Sequence, residues 1–263
     1  MKYLKMLGKI VLYFTVYILT TFVCTFTYSI IYGIINFNSV TNAQINESLV
    51  RDGFLLTAAA EIIGFGIYVL MFRKKEINLF QRCSFKKISL KNSSLIVLCS
   101  LGLAIFSGSL VNLLISKFPS YMKTSAAIEL NATSFLGIVC LVLIIPIFEE
   151  ILFRGLIYNE LKTHLNIILA IILQSIIFAV AHGNMLQGIY TFIMGVVLAI
   201  IYNKTRSIIA PMLFHIMYNL LGSIGSIVIP LIITSFDGYN IVFLILGSII
   251  TVLSLALIFK NNA

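Results

Sequence analysis

Residues 146–155 read PIFEEILFRG: two adjacent glutamates and an arginine set in a run that is otherwise fit for lipid. An ionised side chain at the centre of a bilayer costs at least about 2.5–3.5 kcal/mol, so such residues persist in spans that face a protein interior or a water-filled site. The stretch therefore predicts a helix inside a bundle, with chemistry at its polar positions. The rest of the chain agrees with that setting. It has 263 residues, 60% hydrophobic and only 10% charged, with a mean hydropathy of +1.08. A soluble domain carries about a quarter charged residues.

Apolar runs long enough to cross a membrane, about 20 residues each, fall near 10–35, 54–72, 95–116, 135–157, 165–182, 187–202, 207–233 and 240–259. The expected fold is all-α: one integral membrane domain of about eight transmembrane helices, with the active site buried in the bundle. The basic N-terminus MKYLKMLGKI precedes a run longer than a signal-peptide core and without a small-residue cleavage pattern, so it reads as the first span. The Asn-rich stretch 36–46 reads as an outer loop. Four cysteines, Cys24, Cys83, Cys99 and Cys140, are scattered without ligand-like spacing, which argues against disulfides and a cysteine metal site.

The net charge of +9 is a topology signal and gives no reason to invoke nucleic acid. With an inside N-terminus, fifteen of the eighteen Lys and Arg residues fall on inside segments, and only Arg51, Lys117 and Lys123 lie outside. Both termini are expected to be cytoplasmic. The basic cluster from Arg73 to Lys91 suits anionic lipid headgroups.

The costly residues inside the spans are Glu61, Glu149, Glu150, Arg154, His182, His215, Asn112, Gln174 and Asn219. Gln174 and Asn112 read as interhelical hydrogen-bonding groups. Glu61, in AAAEIIGFG, reads as a solvated residue near the outer end of the second span, and His164 as an interfacial side chain beside Lys162. The others form three patterns. In EEILFR, Glu150 and Arg154 share a helix face and can pair, while Glu149 is rotated by about 100° and left free. FAVAH places Phe178 and His182 on one face, and HIMYN does the same for His215 and Asn219. Pro146 and Pro211 fall within a turn of the polar residues and open room by kinking the helix. At about 1.5 Å per residue, Glu149 and His215 come to similar depths, about 13 and 12 Å, whereas His182 comes out near 26 Å.

The order E-E-x-x-x-R, F-x-x-x-H, H-x-x-x-N resembles that of the CPBP family of intramembrane endopeptidases, named for CAAX-processing and bacteriocin-processing proteins and also called Abi. The resemblance covers roughly residues 130–222. It divides the chain into N-terminal helices (1–129) without a matching motif, a catalytic core (130–222) and a C-terminal transmembrane region (223–263). It implies an endopeptidase with Glu149, His182, His215 and Asn219 as catalytic residues, supported by Glu150 and Arg154. The substrate would be a peptide or membrane protein cut near the cytoplasmic face, in bacteriocin maturation or self-immunity or in leader or tail processing.

Amide hydrolysis needs an activated water and a stabilised oxyanion. In one version Glu149 is the general base, His182 holds the same water, and His215 and Asn219 donate to the oxyanion, with no cofactor. In the other, Glu149, His182 and His215 bind Zn²⁺, whose bound water attacks. The second version leaves no free carboxylate unless Glu150, which its spacing pairs with Arg154, serves as base. A non-enzymatic membrane regulator or scaffold is the main alternative. A proton-coupled transporter is a third class, against which stands the lack of an internal repeat. The Ile-, Asn- and Lys-rich composition points to a bacterial cell membrane.

Overall fold

The structure, a computed structural model, describes residues 1–36, 41–232 and 238–261, and every regular element among them is helical. In chain order these are α1 (Lys2–Ile35), α2 (Asn42–Arg51), α3 (Gly53–Phe72), α4 (Leu79–Cys83), α5 (Leu90–Leu114), α6 (Ser120–Asn131), α7 (Phe135–Lys162), α8 (Ile167–Ala181), α9 (Met185–Thr205), α10 (Ile209–Ile232) and α11 (Tyr239–Asn261). Among the described residues, six helical stretches are long and apolar enough to cross a membrane, and Ile167–Ala181 (α8) and Ile209–Ser223 (within α10) add two shorter apolar segments. The protein is thus an all-α, multi-pass membrane protein. Large apolar side chains such as Phe22, Phe26, Ile62, Leu70, Val252 and Leu253 stay exposed along α1, α3 and α11, as lipid-facing surfaces require.

Three short helices were not legible as spans. Instead of continuing as a loop, part of the Asn-rich stretch folds as α2, because Thr41 and Gln44 form a reciprocal capping box at its start; residues 37–40 of that stretch lie outside the described residues. A second capping box, Asn78 with Gln81, starts α4. Residue 233, the end of the seventh expected span, also lies outside the described residues.

Helix α7 is irregular on both sides of its two glutamates. It begins at Ser134, whose hydroxyl accepts from the Gly137 amide at 2.9 Å. It then widens into π-turns over Cys140–Ile144 and again over Ile151–Tyr158. Pro146 supplies the reason for the first. It has no N–H, and its ring crowds the carbonyl four residues back, so the preceding turn opens. In a π-turn the Leu141 carbonyl would look to the N–H of residue 146, which proline lacks. Asn219 Nδ2 of α10 donates to that carbonyl instead, at 2.9 Å.

Two further contacts frame the site. Helices α5 and α11 touch backbone to backbone: a Cβ on Gly247 would come within 2.6 Å of the Gly102 carbonyl oxygen, the small-residue approach that drives helix pairing in lipid. At the Lys162 end of α7, buried Glu160 accepts from Lys9 and from Arg82, each at 2.8 Å. That clamp ties α1 and α4 to α7.

Candidate active site

Phe178 of α8 is the hub on which the site is assembled. Its ring centroid lies 4.8 Å from Phe153, 4.8 Å from His182 and 6.0 Å from His215, all edge to face. The Arg154 guanidinium sits over it at 4.6 Å, a cation–π contact of the desolvated kind.

Arg154 and Glu150 pair as their spacing predicts. Arg154 Nη1 donates to Glu150 Oε1 at 2.8 Å, and both side chains are wholly buried. Arg154 Nη2 also donates to the Gly195 carbonyl at 3.3 Å. Helix α9 comes this close because residue 195 is glycine: a Cβ there would lie 3.0 Å from the Ser175 Cβ. His215 joins the pair, with Nδ1 at 2.9 Å from the same Glu150 oxygen. Its other nitrogen, Nε2, faces Glu149 Oε2 at 3.6 Å. Glu149 stands apart from the Glu150–Arg154 pair as its rotation on the helix predicts, and it is 14% exposed where Glu150 is sealed.

The partners fix the imidazoles. His182 Nδ1 lies 2.8 Å from the Phe178 carbonyl oxygen, and His215 Nδ1 lies against a carboxylate. Both of those partners are acceptors, so Nδ1 carries the proton on each ring and Nε2 is the nitrogen available for chemistry. Glu149 lies within Coulombic reach of His182. The depth mismatch also shrinks. Helix continues through Asn159–Lys162, so Glu149 stands thirteen residues from that end and His182 sixteen from Asn166, roughly 20 and 24 Å.

Asn219, expected as an oxyanion donor, has its Nδ2 donating to the Leu141 carbonyl at 2.9 Å. Gln174, expected to bond across helices, is fully buried with no partner for either side-chain atom. Asn112 does bond across helices, to Asn240 Oδ1 at 3.3 Å. His164 bonds Thr163 and the Glu160 carbonyl at the end of α7.

Glu61 corrects the sequence reading most sharply. It is 6% exposed and sits on the packed face of α3 with Ala58, Gly64, Tyr68 and Phe72. The spacing of those small and aromatic residues, three or four apart, was the signal that marked this face as inward. Cys83, outside the spans, is no nucleophile: burial pushes its thiol up to about 12, against the pull of Arg82.

For a metal, Glu149 Oε2 and His215 Nε2 are spaced much as two ligands of one tetrahedral Zn²⁺, roughly 3.3 Å apart, would be. Among the described residues, however, no set of three His, Cys, Asp or Glu side chains is gathered to hold an ion. The donor set is incomplete for the zinc version.

Fold and site together define a polytopic helical membrane protein with an acid–imidazole cluster sealed among its helices. Residues 131–221 match the family described as Type II CAAX prenyl endopeptidase Rce1-like, over the same segment that carries the EEILFR, FAVAH and HIMYN motifs. It is similar to the Bacillus subtilis (strain 168) protein named "Putative membrane peptidase YdiL", with 30% identity over 97 residues. That match covers 37% of this chain and 40% of the relative, so the chain spans less than half of that protein's length. No solved structure matches significantly.

Proposed function

We propose that the protein is an intramembrane endopeptidase that hydrolyses peptide bonds of membrane-associated peptides or proteins by a glutamate-based mechanism. The observation that carries this reading is the Glu149–His215 facing pair at 3.6 Å, backed by the buried Glu150–Arg154 pair. A separation of 3.6 Å is too long for a direct hydrogen bond, and it leaves both atoms able to bond one water at the apex between them.

In this mechanism the Glu149 carboxylate takes a proton from that water as its oxygen bonds to the substrate carbonyl carbon. His182 Nε2 accepts the water's second hydrogen bond and orients it. His215, with a proton on each nitrogen, faces the oxyanion through Nε2–H while Glu150 holds its Nδ1–H, and the two carboxylates, Glu149 and Glu150, together offset the charges of Arg154 and the ring. When the C–N bond breaks, the proton on Glu149 passes to the leaving nitrogen, giving an amine and a carboxylic acid. Asn219 keeps the π-turn open at Leu141 and so supports the geometry from behind. No step is routed through a metal.

The remaining assignments belong to the same proposal. Residues 130–222 form the catalytic core, the site opens toward the cytoplasmic side with both termini inside, and the membrane is that of a bacterial cell. Processing of bacteriocin-type leaders or of protein tails is the substrate class that fits. The test is cleavage of a panel of membrane-anchored reporter peptides in proteoliposomes, read by mass spectrometry, for wild type and Glu149→Ala at equal folded protein. Cleavage lost in the variant supports the reading. Cleavage that survives unchanged in the variant removes Glu149 as base, and absence of cleavage by folded wild type leaves the scaffold or regulator reading in its place.

A further inference from the structure

A small pocket lies between α1, α3 and α7, lined by Tyr17, Thr20, Glu61, Gly64, Tyr68 and Phe148 among others. Its volume is about 10 Å³, on the scale of a single water molecule. Its lining is mostly apolar, and the polar groups of Tyr17, Thr20, Glu61 and Tyr68 are set into it. Glu61 Oε2 is buried and has no hydrogen-bond partner in the protein. Thr20 Oγ1 donates to the Val16 and Tyr17 carbonyls, each at 3.0 Å, which leaves its lone pairs able to accept. Tyr68 OH donates to the Tyr13 carbonyl at 2.7 Å, with the same consequence.

A buried carboxylate oxygen without a partner is costly, and a bound water with two to four polar partners is the usual remedy. Phe148, Ile151 and Leu152, the residues of α7 that close the cavity, belong to the turn that carries Glu149. Glu61 and Glu149 lie within Coulombic reach of each other and of Tyr17.

We propose that this cavity is a water-binding site in which Glu61, Thr20 and Tyr68 hold a water molecule against the turn bearing Glu149, and that Glu61 is a positioning residue for Glu149. The α1–α3 pair, which lies outside the matched family segment, then becomes a working part of the site. The positioning role rests on the endopeptidase reading above; the water site does not.

Gly64 and Gly66 separate the possibilities. A Cβ on Gly64 would enter the cavity with only ordinary contact, 3.4 Å from Thr20 Oγ1, while a Cβ on Gly66 meets nothing within 4 Å. Both changes raise helix propensity alike, so Gly66→Ala is the control for Gly64→Ala. The first measurement is radiolytic hydroxyl labelling with mass spectrometry, which marks side chains beside bound water and needs no substrate. Tyr17 and Phe148 should be labelled in wild type and Gly66→Ala despite their burial, and protected in Gly64→Ala. Absence of labelling in wild type overturns the water site, whatever Glu149 does.

The second measurement is reporter cleavage. Gly64→Ala and Glu61→Leu should lower kcat by about tenfold to a hundredfold, as a displaced catalytic group does, at unchanged KM. Glu61→Gln, which keeps the hydrogen-bonding shape, should recover part of the loss. An unchanged kcat in Gly64→Ala and Glu61→Leu overturns the positioning role while leaving the Glu149 mechanism standing.

Discussion

Glu150 and Glu160 lie ten residues apart on α7, both sealed from solvent, and each bonds two other side chains. They are compensated in opposite ways. Glu160 uses one oxygen for Lys9 and the other for Arg82, and Lys9 is 53% exposed, so this cluster reaches the surface and both carboxylate oxygens are satisfied. Glu150 presents a single oxygen to both Arg154 and His215, and its Oε2 has no partner. Beside it stands Glu149, a second acid with no committed cation. A cluster whose task is to join helices closes its hydrogen bonds, because every open one costs stability. The cluster around Glu150 leaves acid and imidazole nitrogen unspent at one point, and that is where we place the chemistry.

The largest effect that would break this contrast is expected at Glu149. Glu149→Gln should reduce kcat by about 10²–10⁴-fold, the usual worth of a general base, with the melting temperature in detergent nearly unchanged, because Glu149 is partly exposed and carries no direct ion pair shorter than 3.6 Å. A cleavage rate within a factor of a few of wild type would refute the assignment.

Arg154 should show the reverse pattern, with stability affected first. Arg154→Ala strands the buried Glu150 carboxylate, and breaking a sealed pair from one side costs about 3–5 kcal/mol. Chemical unfolding or the yield of folded protein should register it, and Glu150→Gln with Arg154→Met in one chain should recover much of the loss. If Arg154→Ala melts like wild type, the pair is not the scaffold of the site.

At the other end, Glu160→Gln should cost less, about 1–2 kcal/mol, because Lys9 and Arg82 reach solvent and recover hydration. Cleavage per folded molecule should stay at the wild-type level. A loss of kcat there would show that the α1–α4 clamp is coupled to the site and would erase the contrast between the two clusters.

Much of this arrangement was legible in the sequence, and the reason is local. Spans follow from runs of apolar residues, and the Glu150–Arg154 pair follows from four-residue spacing, which is a property of one helix. What stayed hidden depends on contacts between distant segments. Glu160 gives no sign that Lys9, 151 positions away, will reach it. The target of Asn219 becomes predictable only once Pro146 is known to sit in a π-turn that strands the Leu141 carbonyl. Glu61 was misplaced because its depth in the span was read without the face it occupies, although the Ala58, Gly64 and Tyr68 stripe carried that information.

The smallest expected effect lies outside the bundle's interior, at Asp52 between α2 and α3, and it tests whether charge away from both clusters matters at all. Arg51 donates to both Asp52 oxygens, at 3.1 and 3.0 Å, and Tyr28 OH donates to Oδ2 at 2.5 Å. The Arg51 bonds hold the Asp52 carboxyl below its ordinary value, partial burial opposes them, and the Tyr28 hydroxyl adds to the lowering. A carboxyl lowered on folding stabilises the fold when ionised. Its contribution is full above the unfolded-state value, about 3.9, and disappears as pH falls through the lower folded-state value. Melting curves of wild type and Asp52→Asn should therefore differ slightly at pH 6, begin to approach each other below pH ~4 and converge once pH has fallen through the lower folded-state value, the difference being small because Arg51 is exposed to solvent. Curves that diverge further in acid would reverse the sign and show that Asp52 is held protonated in the folded protein.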